Sequence, residues 1–237
     1  MVDKASRQVR RMFASVAHRY DLLNHLLSLS IDRYWRRVVR RRLFSALPAG
    51  RRLLDLCTGT GDLALALASG SRVVGCDFCR PMLEIGAGKA RSRGFEETVR
   101  FVEGDALAVP FPDGSFDGVT IAFGLRNLED FRAGLREMAR VLRPGGVLAI
   151  LEFSIPTLPL LRQLYLFYFT RVLPRIGALI SGRDGPYSYL PESVREFPPP
   201  RVLCRALEEE GFSSARDHGL TLRIATLYLA RREGAPA

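Results

Sequence analysis

The sequence predicts an α/β protein built on a doubly wound, mostly parallel sheet. A short apolar run, Leu53 to Cys57, is followed by a glycine turn and an alanine- and leucine-rich helix, which is typical of a buried strand in a βα unit. Strand-like runs and amphipathic helical stretches then alternate as far as Phe153. Such alternation favours parallel strands joined by right-handed helical crossovers. A chain of 237 residues is long enough for one large domain with a full core.

Residues 1–48 are expected to form a helical cap before the first strand. Apolar residues recur at helical spacing from Val9 to Leu29, and the pattern F-x-x-x-A-x-x-Y-D-x-x-N contains Tyr20 and Asn24. This pattern fits either a packing helix with polar edges or a helix that sets both residues over a ligand crevice. Asp32 to Leu43 is a second helix, basic and amphipathic. Its arginines fit a solvated face, contact with anionic lipid, or nucleic acid, although no RNA-binding motif accompanies them.

The middle of the chain continues the alternation of strands and helices. Strands are expected at Arg72–Asp77, Val99–Glu103, Phe116–Gly124 and Val147–Phe153, and helices at Met82–Ala90 and Phe131–Leu142. The segment Arg143-Pro144-Gly145-Gly146 is expected to stop the second of these helices and turn into the fifth strand.

The alternation breaks after the fifth strand, where an insert spans residues 155–191. It is rich in Leu, Phe and Tyr, but arginines interrupt the run, so amphipathic helices forming an apolar lid are favoured over a membrane span. Within it, Gly182 to Pro191 is expected to be a polar loop carrying Tyr187 and Tyr189. A helix over Val202–Glu210 and an antiparallel strand pair, Phe212–Leu220 and Leu222–Ala230, would complete a single domain of residues 1–237.

Composition limits the class of protein and of partner. Hydrophobic residues make up 47% of the chain and charged residues 25%, which is ordinary for a globular protein. The net charge of +10 attracts polyanions, either nucleic acid or anionic lipid headgroups. The arginines near the start interrupt any apolar run of a signal peptide, which predicts a cytoplasmic protein.

The cysteines and histidines do not suggest a metal site. Cys76-x-x-Cys79 resembles a redox or zinc motif, but no second pair is present to complete it, and ordinary packing is favoured. The three histidines are dispersed along the sequence. We therefore expect no metal cofactor.

The turn after the first strand points to a ligand that contains a nucleoside. Gly59-Thr60-Gly61 turns the chain sharply, since glycine tolerates unusual backbone angles and lets a ligand approach the main chain. The spacing Gly59-x-Gly61-x-x-Ala64 satisfies the dinucleotide fingerprint, and Asp77 follows at the expected distance. NAD(P) and S-adenosylmethionine (SAM) both fit this pattern, and the alternative is an ordinary βα turn that binds no ligand. A P-loop is excluded because no Gly-Lys-Ser/Thr follows.

Three carboxylates favour SAM over a dinucleotide. Asp55, directly upstream of the turn, complements the positive charges of SAM and would repel a pyrophosphate. Asp77, at the end of the second strand, can accept hydrogen bonds from both ribose hydroxyls. After the third strand, Asp105 can bind the adenine amino group, while the backbone N–H of Ala106 serves a ring nitrogen. We therefore predict SAM as the cofactor.

Several longer motifs resemble those of one enzyme family. Beside LLDLCTGTGDLA, the chain contains FASVAHRYDLLN, DRYWRR, FGLRN, EMARVLRPGG, LEFS and YSYLPESVREFP. Over nearly its whole length it is similar to the ubiquinone/menaquinone biosynthesis C-methyltransferases, class I SAM-dependent enzymes. The resemblance implies their Rossmann-like fold and methyl transfer to a ring carbon of a polyprenylated quinol. The terminal stretch LTLRIATLYLARR departs from the family by lacking its usual paired glycines.

Carried over residue by residue, the resemblance implies two groups of site residues. The SAM contacts are Thr60, Asp77, Asp105 and Ala106, to which the strand and turn add Asp55, Gly59 and Gly61. The reaction site is lined by Tyr20, Asn24, Arg126 and Asn127. Demethylmenaquinol is the favoured substrate and a benzoquinol of ubiquinone biosynthesis is the alternative.

Chemistry at these residues can be outlined from first principles. A quinol ring carbon becomes nucleophilic when the neighbouring hydroxyl loses its proton, and Arg126, at a strand end, could stabilise that oxyanion. Tyr20, or a water near Arg126 and Asn127, could relay the proton. The alternative for Arg126 is a structural ion pair. The apolar stretch Leu158 to Tyr168 fits a prenyl tail.

Rival interpretations are a methyltransferase acting on RNA or another small molecule, an NAD(P)-linked oxidoreductase, and a non-catalytic SAM-binding scaffold. FGLRN and the apolar insert argue against RNA. We expect a polyprenylated quinol as substrate and no nucleic acid partner. Peripheral contact with the inner face of an anionic membrane and assembly into a homodimer are further options.

Overall fold

The computed structural model of the chain describes residues 6–28, 30–48, 50–172, 175 and 186–234. The helices are α1 (Ser6–Leu27), α2 (Ile31–Ala46), α3 (Asp62–Ala68), α4 (Arg80–Ser92), α5 (Phe131–Val141), α6 (Pro159–Phe167), α7 (Pro186–Glu196) and α8 (Pro200–Glu209). The strands are β1 (Arg52–Leu56), β2 (Arg72–Asp77), β3 (Val99–Glu103), β4 (Phe116–Ala122), β5 (Leu142–Phe153), β6 (Phe212–Leu220) and β7 (Ala225–Arg232). A 3₁₀ turn spans Leu125–Asn127, and a π-helical turn, Tyr168–Val172, continues α6.

The seven strands form one sheet in the order β3-β2-β1-β4-β5-β7-β6. The first five strands are parallel, and β7 runs antiparallel to both β5 and β6. The predicted doubly wound sheet with an antiparallel terminal pair is thus confirmed. The strand order reverses between β1 and β4, and a crevice opens beyond the carboxyl ends of strands at such a point.

Apolar side chains cover both faces of the sheet. Leu53 and Leu151 belong to the cluster under α2 and α3, whereas Leu54 and Ile121 belong to the cluster under α5 and α8. All four side chains are at most 1% exposed. Burial on both faces explains why the central strands are continuous apolar runs rather than alternating ones.

Helix α2 contributes its apolar face to this core. Trp35, Val38, Val39 and Leu43 are all buried, as the amphipathic pattern predicts. The apolar side of α2 is therefore already covered by protein, and its outward surface carries arginines.

The ring of Phe101 on β3 lies in a hollow formed by three glycines. A Cβ on Gly61 would lie 2.6 Å from this ring, one on Gly86 2.8 Å and one on Gly75 3.0 Å. Gly61 also has φ +79°, a conformation that L side chains rarely adopt. The space on the Cβ side of Gly61 is filled by Phe101, so glycine at this position makes room for that ring.

Several predicted boundaries are corrected by the structure. The last strand begins at Ala225 rather than Leu222, because residues 221–224 form a turn in which Thr221, Leu222 and Arg223 all have positive φ. The fourth strand ends at Ala122. Strand β5 begins directly at Leu142, so the expected break at 143–146 is a register irregularity against β4 instead.

The insert contains more helix than the sequence predicts. Residues 186–191, expected to end a polar loop, form the first turns of α7, while 182–185 lie outside the described residues. The same holds for 173, 174 and 176–181 of the expected lid. None of the helices in the described part of the chain is both long and apolar enough to cross a membrane.

Because of the glycine hollow around Phe101, we expect two neighbouring substitutions in α4 to change the free energy of unfolding in opposite directions. Gly86→Ala should lower the free energy of unfolding by about 1–3 kcal/mol, because its methyl group would overpack the ring. Gly88→Ala, whose Cβ would meet nothing within 4 Å, should raise it by about 0.5–1 kcal/mol through helix propensity. Urea unfolding of both variants measures the difference. Equal shifts in one direction would show that the hollow does not constrain the residue.

Candidate active site

Two adjoining cavities open where β1 and β4 end. The larger has a volume of about 380 Å³ and the smaller about 70 Å³. Residues that line both cavities are Phe13, Tyr20, Cys57, Gly59, Ala122, Phe123 and Asn127. Cys57 and Phe123, which directly follow β1 and β4, have φ of 50° and 58°. Strained backbone of this kind is concentrated at functional sites.

The smaller cavity contains the acidic residues expected beside a nucleoside. Asp77 Oδ2 accepts the Gly59 N–H at 2.8 Å, and Oδ1 accepts the Cys79 N–H at 2.8 Å. Each carboxylate oxygen therefore keeps acceptor capacity for a ligand hydroxyl. Asp105 and Ala106 line the same cavity. The three residues thus come together as the sequence predicts.

Asp55 lies at the floor of the larger cavity and is 1% exposed. Its Oδ2 accepts the Thr58 hydroxyl and its Oδ1 the Thr120 hydroxyl, both at 2.6 Å. Burial raises the pKa of Asp55 to about 6, and burial also raises the pKa of Asp77 to about 6. These two buried carboxyl groups, whose pKa values lie close to neutral pH, form the acidic part of the site.

Thr60 lies at the larger cavity, but its hydroxyl is engaged by protein groups. It donates to Asp21 Oδ1 at 2.5 Å and accepts from Lys89 Nζ at 3.0 Å. Lys89 Nζ also lies 2.5 Å from Asp21 Oδ2 and 2.7 Å from Asp62 Oδ1. This network connects the cap helix α1, the glycine turn and α4.

Tyr20 and Asn24 project from α1 over both β1 and the glycine turn. The Tyr20 hydroxyl is hydrogen-bonded to the Asn24 side chain, and its ring packs edge-on against Phe13. A Cβ built on Gly59 would lie 3.9 Å from the Tyr20 ring. Burial raises the pKa of Tyr20, so the phenol stays protonated at neutral pH. Both Tyr20 and Asn24 line the larger cavity.

Arg126 is held at the end of β4 by a buried carboxylate. Its Nη1 donates to Glu152 Oε2 at 3.0 Å and to the Phe123 carbonyl, and its backbone N–H donates to Glu152 Oε1 at 3.2 Å. Glu152 is fully buried, and the Arg126 side chain is 8% exposed. The ion pair that the sequence left as the alternative for Arg126 therefore exists, and it also orients the guanidinium at the cavity.

Aromatic side chains form another part of the wall of the larger cavity. Phe153 stacks on Phe123 with ring centroids 4.4 Å apart, Trp35 lies 6.0 Å from Phe153, and Phe169 lies 5.8 Å from it. From the insert, Tyr165 stacks on Phe169 at 4.4 Å. This end of the larger cavity is therefore apolar, and the insert helps to form it.

The structure brings the predicted site residues together with one exception. Gly61 lines neither cavity, for the packing reason given above. Sequence reasoning missed Glu152, although a lone carboxylate in the apolar run VLAILEF is the same signal that singled out Asp55. It also missed the contact of Lys89 with Asp21, which has no local sequence signal because α1 and α4 are far apart in the chain.

Solved structures with this fold include enzymes of different activity. The [4+2]-cyclase SpnF has a TM-score of 0.70 at 20% identity, covering 97% of this chain and 96% of that one. A SAM-dependent methyltransferase from Aquifex aeolicus has a TM-score of 0.59 at 19% identity, covering 81% of this chain and 88% of that one. At such identities the likeness concerns the fold alone.

Curated relatives are much more similar in sequence. The demethylmenaquinone methyltransferase of Thermus thermophilus is 52% identical over 93% of this chain and 100% of its own length. The corresponding protein of Deinococcus radiodurans is 49% identical over 93% and 91%. The ubiquinone/menaquinone biosynthesis C-methyltransferase UbiE of Geobacter sp. strain M21 is 45% identical over 98% and 99%. A family model described as the ubiE/COQ5 methyltransferase family matches residues 1–232. The resemblance inferred from the motifs is thereby confirmed, and the chain belongs to the ubiE/COQ5 methyltransferase family.

Proposed function

We propose that this protein transfers a methyl group from SAM to a ring carbon of a polyprenylated quinol, converting demethylmenaquinol to menaquinol. The observation that carries the proposal is the pair of joined cavities, acidic at one end and aromatic with a buried arginine at the other. The names of relatives about 50% identical support the naphthoquinol over the benzoquinol of ubiquinone biosynthesis. No nucleic acid and no metal enter the proposal, and assembly into a homodimer stays a prediction.

The acidic end fits the chemistry of SAM. Asp77 offers acceptor capacity on both carboxylate oxygens, and Asp105 and Ala106 line the same small cavity, as a nucleoside requires. Asp55 supplies negative charge beside the larger cavity, where a cationic group is favoured. Bound SAM supplies an electrophilic methyl group on a sulfonium. Thr60 would act through the turn and the Asp21 network, since its hydroxyl is already engaged.

The aromatic end fits a flat ring with an apolar tail. Held by Glu152, Arg126 presents a fixed charge to a ring oxygen that becomes anionic when the quinol hydroxyl loses its proton, before the ring carbon attacks. The carbon–methyl bond forms as the sulfur–methyl bond breaks, and the hydrogen on that ring carbon leaves as a proton. Tyr20, hydrogen-bonded to Asn24, is placed to relay a proton between the two cavities. Positioning of this kind contributes roughly 7–11 kcal/mol to such reactions.

The proposal is tested by incubating the purified protein anaerobically with labelled SAM and reduced demethylmenaquinol. One labelled methyl group should appear on the ring, detected by mass spectrometry. A tail-less, water-soluble quinol should be methylated with a much lower kcat/KM if the aromatic cavity and the insert bind the tail. SAM binding without transfer to any quinol would overturn the proposal.

A lipid substrate also requires access from a bilayer, and we propose that α6 makes this contact. Leu160, Leu164 and Phe167 share one face of α6 and are 72%, 59% and 62% exposed. The other side of α6 contributes Leu161 and Tyr165 to the larger cavity. A helix with apolar residues on both faces is expected where one of them meets lipid, and exposed arginines nearby favour an anionic surface. Helix α2, the earlier candidate, has its apolar face in the core.

Replacing the three exposed residues of α6 by Gln should lower binding to phosphatidylglycerol vesicles by at least about tenfold, since the buried apolar area is lost. Vesicle co-sedimentation measures the bound fraction. Val202→Gln, an exposed valine on α8, is the matched control and should bind like the wild type. A triple variant that keeps vesicle binding but changes the oligomeric mass would assign this face to a second copy of the chain.

Removing the charge at Arg126 should slow methyl transfer. The double variant Arg126→Gln, Glu152→Gln avoids leaving a buried carboxylate unpaired, and its kcat should fall by about 10²–10³-fold. The Kd for SAM should change little, because the pair lies at the aromatic end. Arg132→Gln, at an exposed ion pair, is the control. A kcat within threefold of the wild type would leave Arg126 a purely structural residue.

Affinity for SAM should fall in acid. The pKa values of Asp55 and Asp77 are about 6 in the ligand-free protein, so below pH 6 each carboxyl must lose a proton to receive the ligand. The Kd should rise by up to about tenfold per pH unit for each group. Acid has the opposite effect on folding stability. Because both carboxyl groups bind a proton more tightly in the folded state than in the unfolded state, their protonation in acid does not lower the free energy of unfolding.

Fluorescence of Trp35, the single tryptophan, reports on binding because this residue lines the larger cavity. Asp77→Asn should weaken binding at pH 7.5 and flatten the pH dependence, whereas Asp113→Asn, at an exposed carboxylate, should change neither. An affinity that is constant from pH 7.5 to 5 would contradict the assignment of these carboxylates.

A further inference from the structure

The hydroxyl of Tyr165 is a buried polar group without a role in the reaction proposed above. Tyr165 is 6% exposed and lines the larger cavity from α6. Its hydroxyl has no hydrogen-bond partner among the residues that the structure describes. Buried hydroxyls are nearly always paired, because an unpaired one loses its hydrogen bonds to water without replacement. Phenylalanine would fill the same space without this penalty.

The ring of Tyr165 is held so that its hydroxyl has a fixed position. It stacks on Phe169 with centroids 4.4 Å apart, and Phe169 in turn packs edge-on against Phe153. The Arg126 guanidinium lies over Phe153, 5.5 Å from the ring centroid. Phe169 and Phe153 thus link Tyr165 to Arg126 through successive ring contacts, and the charge of Arg126 acts on the Tyr165 hydroxyl.

Arg126 also has an unused donor. Its Nη1 is occupied by Glu152 and the Phe123 carbonyl, but its buried Nε has no hydrogen-bond partner within the described residues. Two residues that line the larger cavity thus each carry a buried donor without an acceptor in the described part of the chain. By contrast, the hydroxyl of Tyr20 in that cavity is already paired with Asn24.

We propose that the Tyr165 hydroxyl binds the quinol oxygen beside the carbon that is methylated, the same oxygen that the proposed function assigns to the charge of Arg126, which makes Tyr165 a catalytic residue. The inference rests on the proposed function. A ring oxygen has lone pairs for two donors, and a hydrogen bond to it strengthens as the oxygen becomes anionic. Burial raises the pKa of Tyr165 well above its usual value, so it donates a proton in a hydrogen bond and is not the base.

The test compares Tyr165→Phe with Tyr34→Phe, a change at a half-exposed tyrosine on α2. Tyr165→Phe should lower kcat/KM for the quinol by at least about tenfold and leave the Kd for SAM unchanged. The Tm of the ligand-free protein should rise by about 2–4 °C, because an unpaired buried hydroxyl has been removed. Tyr34→Phe should alter none of these quantities.

A second comparison assigns the contact to one oxygen. Binding of the quinol and of an analogue lacking the hydroxyl beside the reactive carbon is measured by ligand-induced shifts in Tm. The ratio of their Kd values should be at least about threefold smaller in Tyr165→Phe than in the wild type.

The results separate this inference from the proposed function. A wild type that methylates the quinol, together with an unchanged kcat/KM or an unchanged Kd ratio in Tyr165→Phe, overturns the role of Tyr165 alone. A fall in Tm also overturns it, because the hydroxyl would then have a structural partner. A wild type that neither binds nor methylates quinols overturns both.

Discussion

The hydrogen bonds from Thr58 and Thr120 to the buried carboxyl of Asp55 connect the strands and the turn on which the site is built. Thr120 lies on β4, Asp55 on β1 and Thr58 in the turn that leads to α3. These bonds join the two central strands where the order of the sheet reverses, so they fix the distance between the glycine turn and the end of β4. Asp55 and Thr58 line the larger cavity, and Cys57 between them lines both cavities.

Two segments that flank the sheet in sequence cover this junction from different sides. The cap helix α1 brings Tyr20 over the glycine turn, and the network of Asp21 and Lys89 attaches it there. The insert brings Tyr165 and Phe169 against Phe153. The sheet therefore supplies the acidic part of the site, while the cap and the insert help to form its aromatic part. Division of labour of this kind is how one fold hosts many activities, and the cyclase SpnF shows how far activities on it diverge.

Sequence reasoning succeeded where a local pattern has one physical meaning. Apolar runs, glycine turns and helical periodicity predicted the sheet and most of its helices, and carboxylates at strand ends predicted the acidic cavity. It failed where long-range contacts decide. Residues 186–191 have a polar, loop-like sequence but form the first turns of α7. The turn at 221–224 has positive φ at Thr221, Leu222 and Arg223, residue types that rarely adopt this conformation. The pairing of Arg126 with Glu152 joins two strand ends, so no spacing in the chain encodes it.

The hollow around Phe101 changes what a glycine signature can be taken to mean. Gly61 is required because a neighbouring ring occupies the place of its side chain, whether or not anything is bound. A descendant of this chain that had lost its catalytic activity would keep that glycine for as long as it kept the ring. Genome searches that rely on the glycines alone would then count such a descendant as an enzyme. The carboxyl groups at the strand ends are a better indicator of an active enzyme, since burying a carboxylate without a cationic ligand is unfavourable.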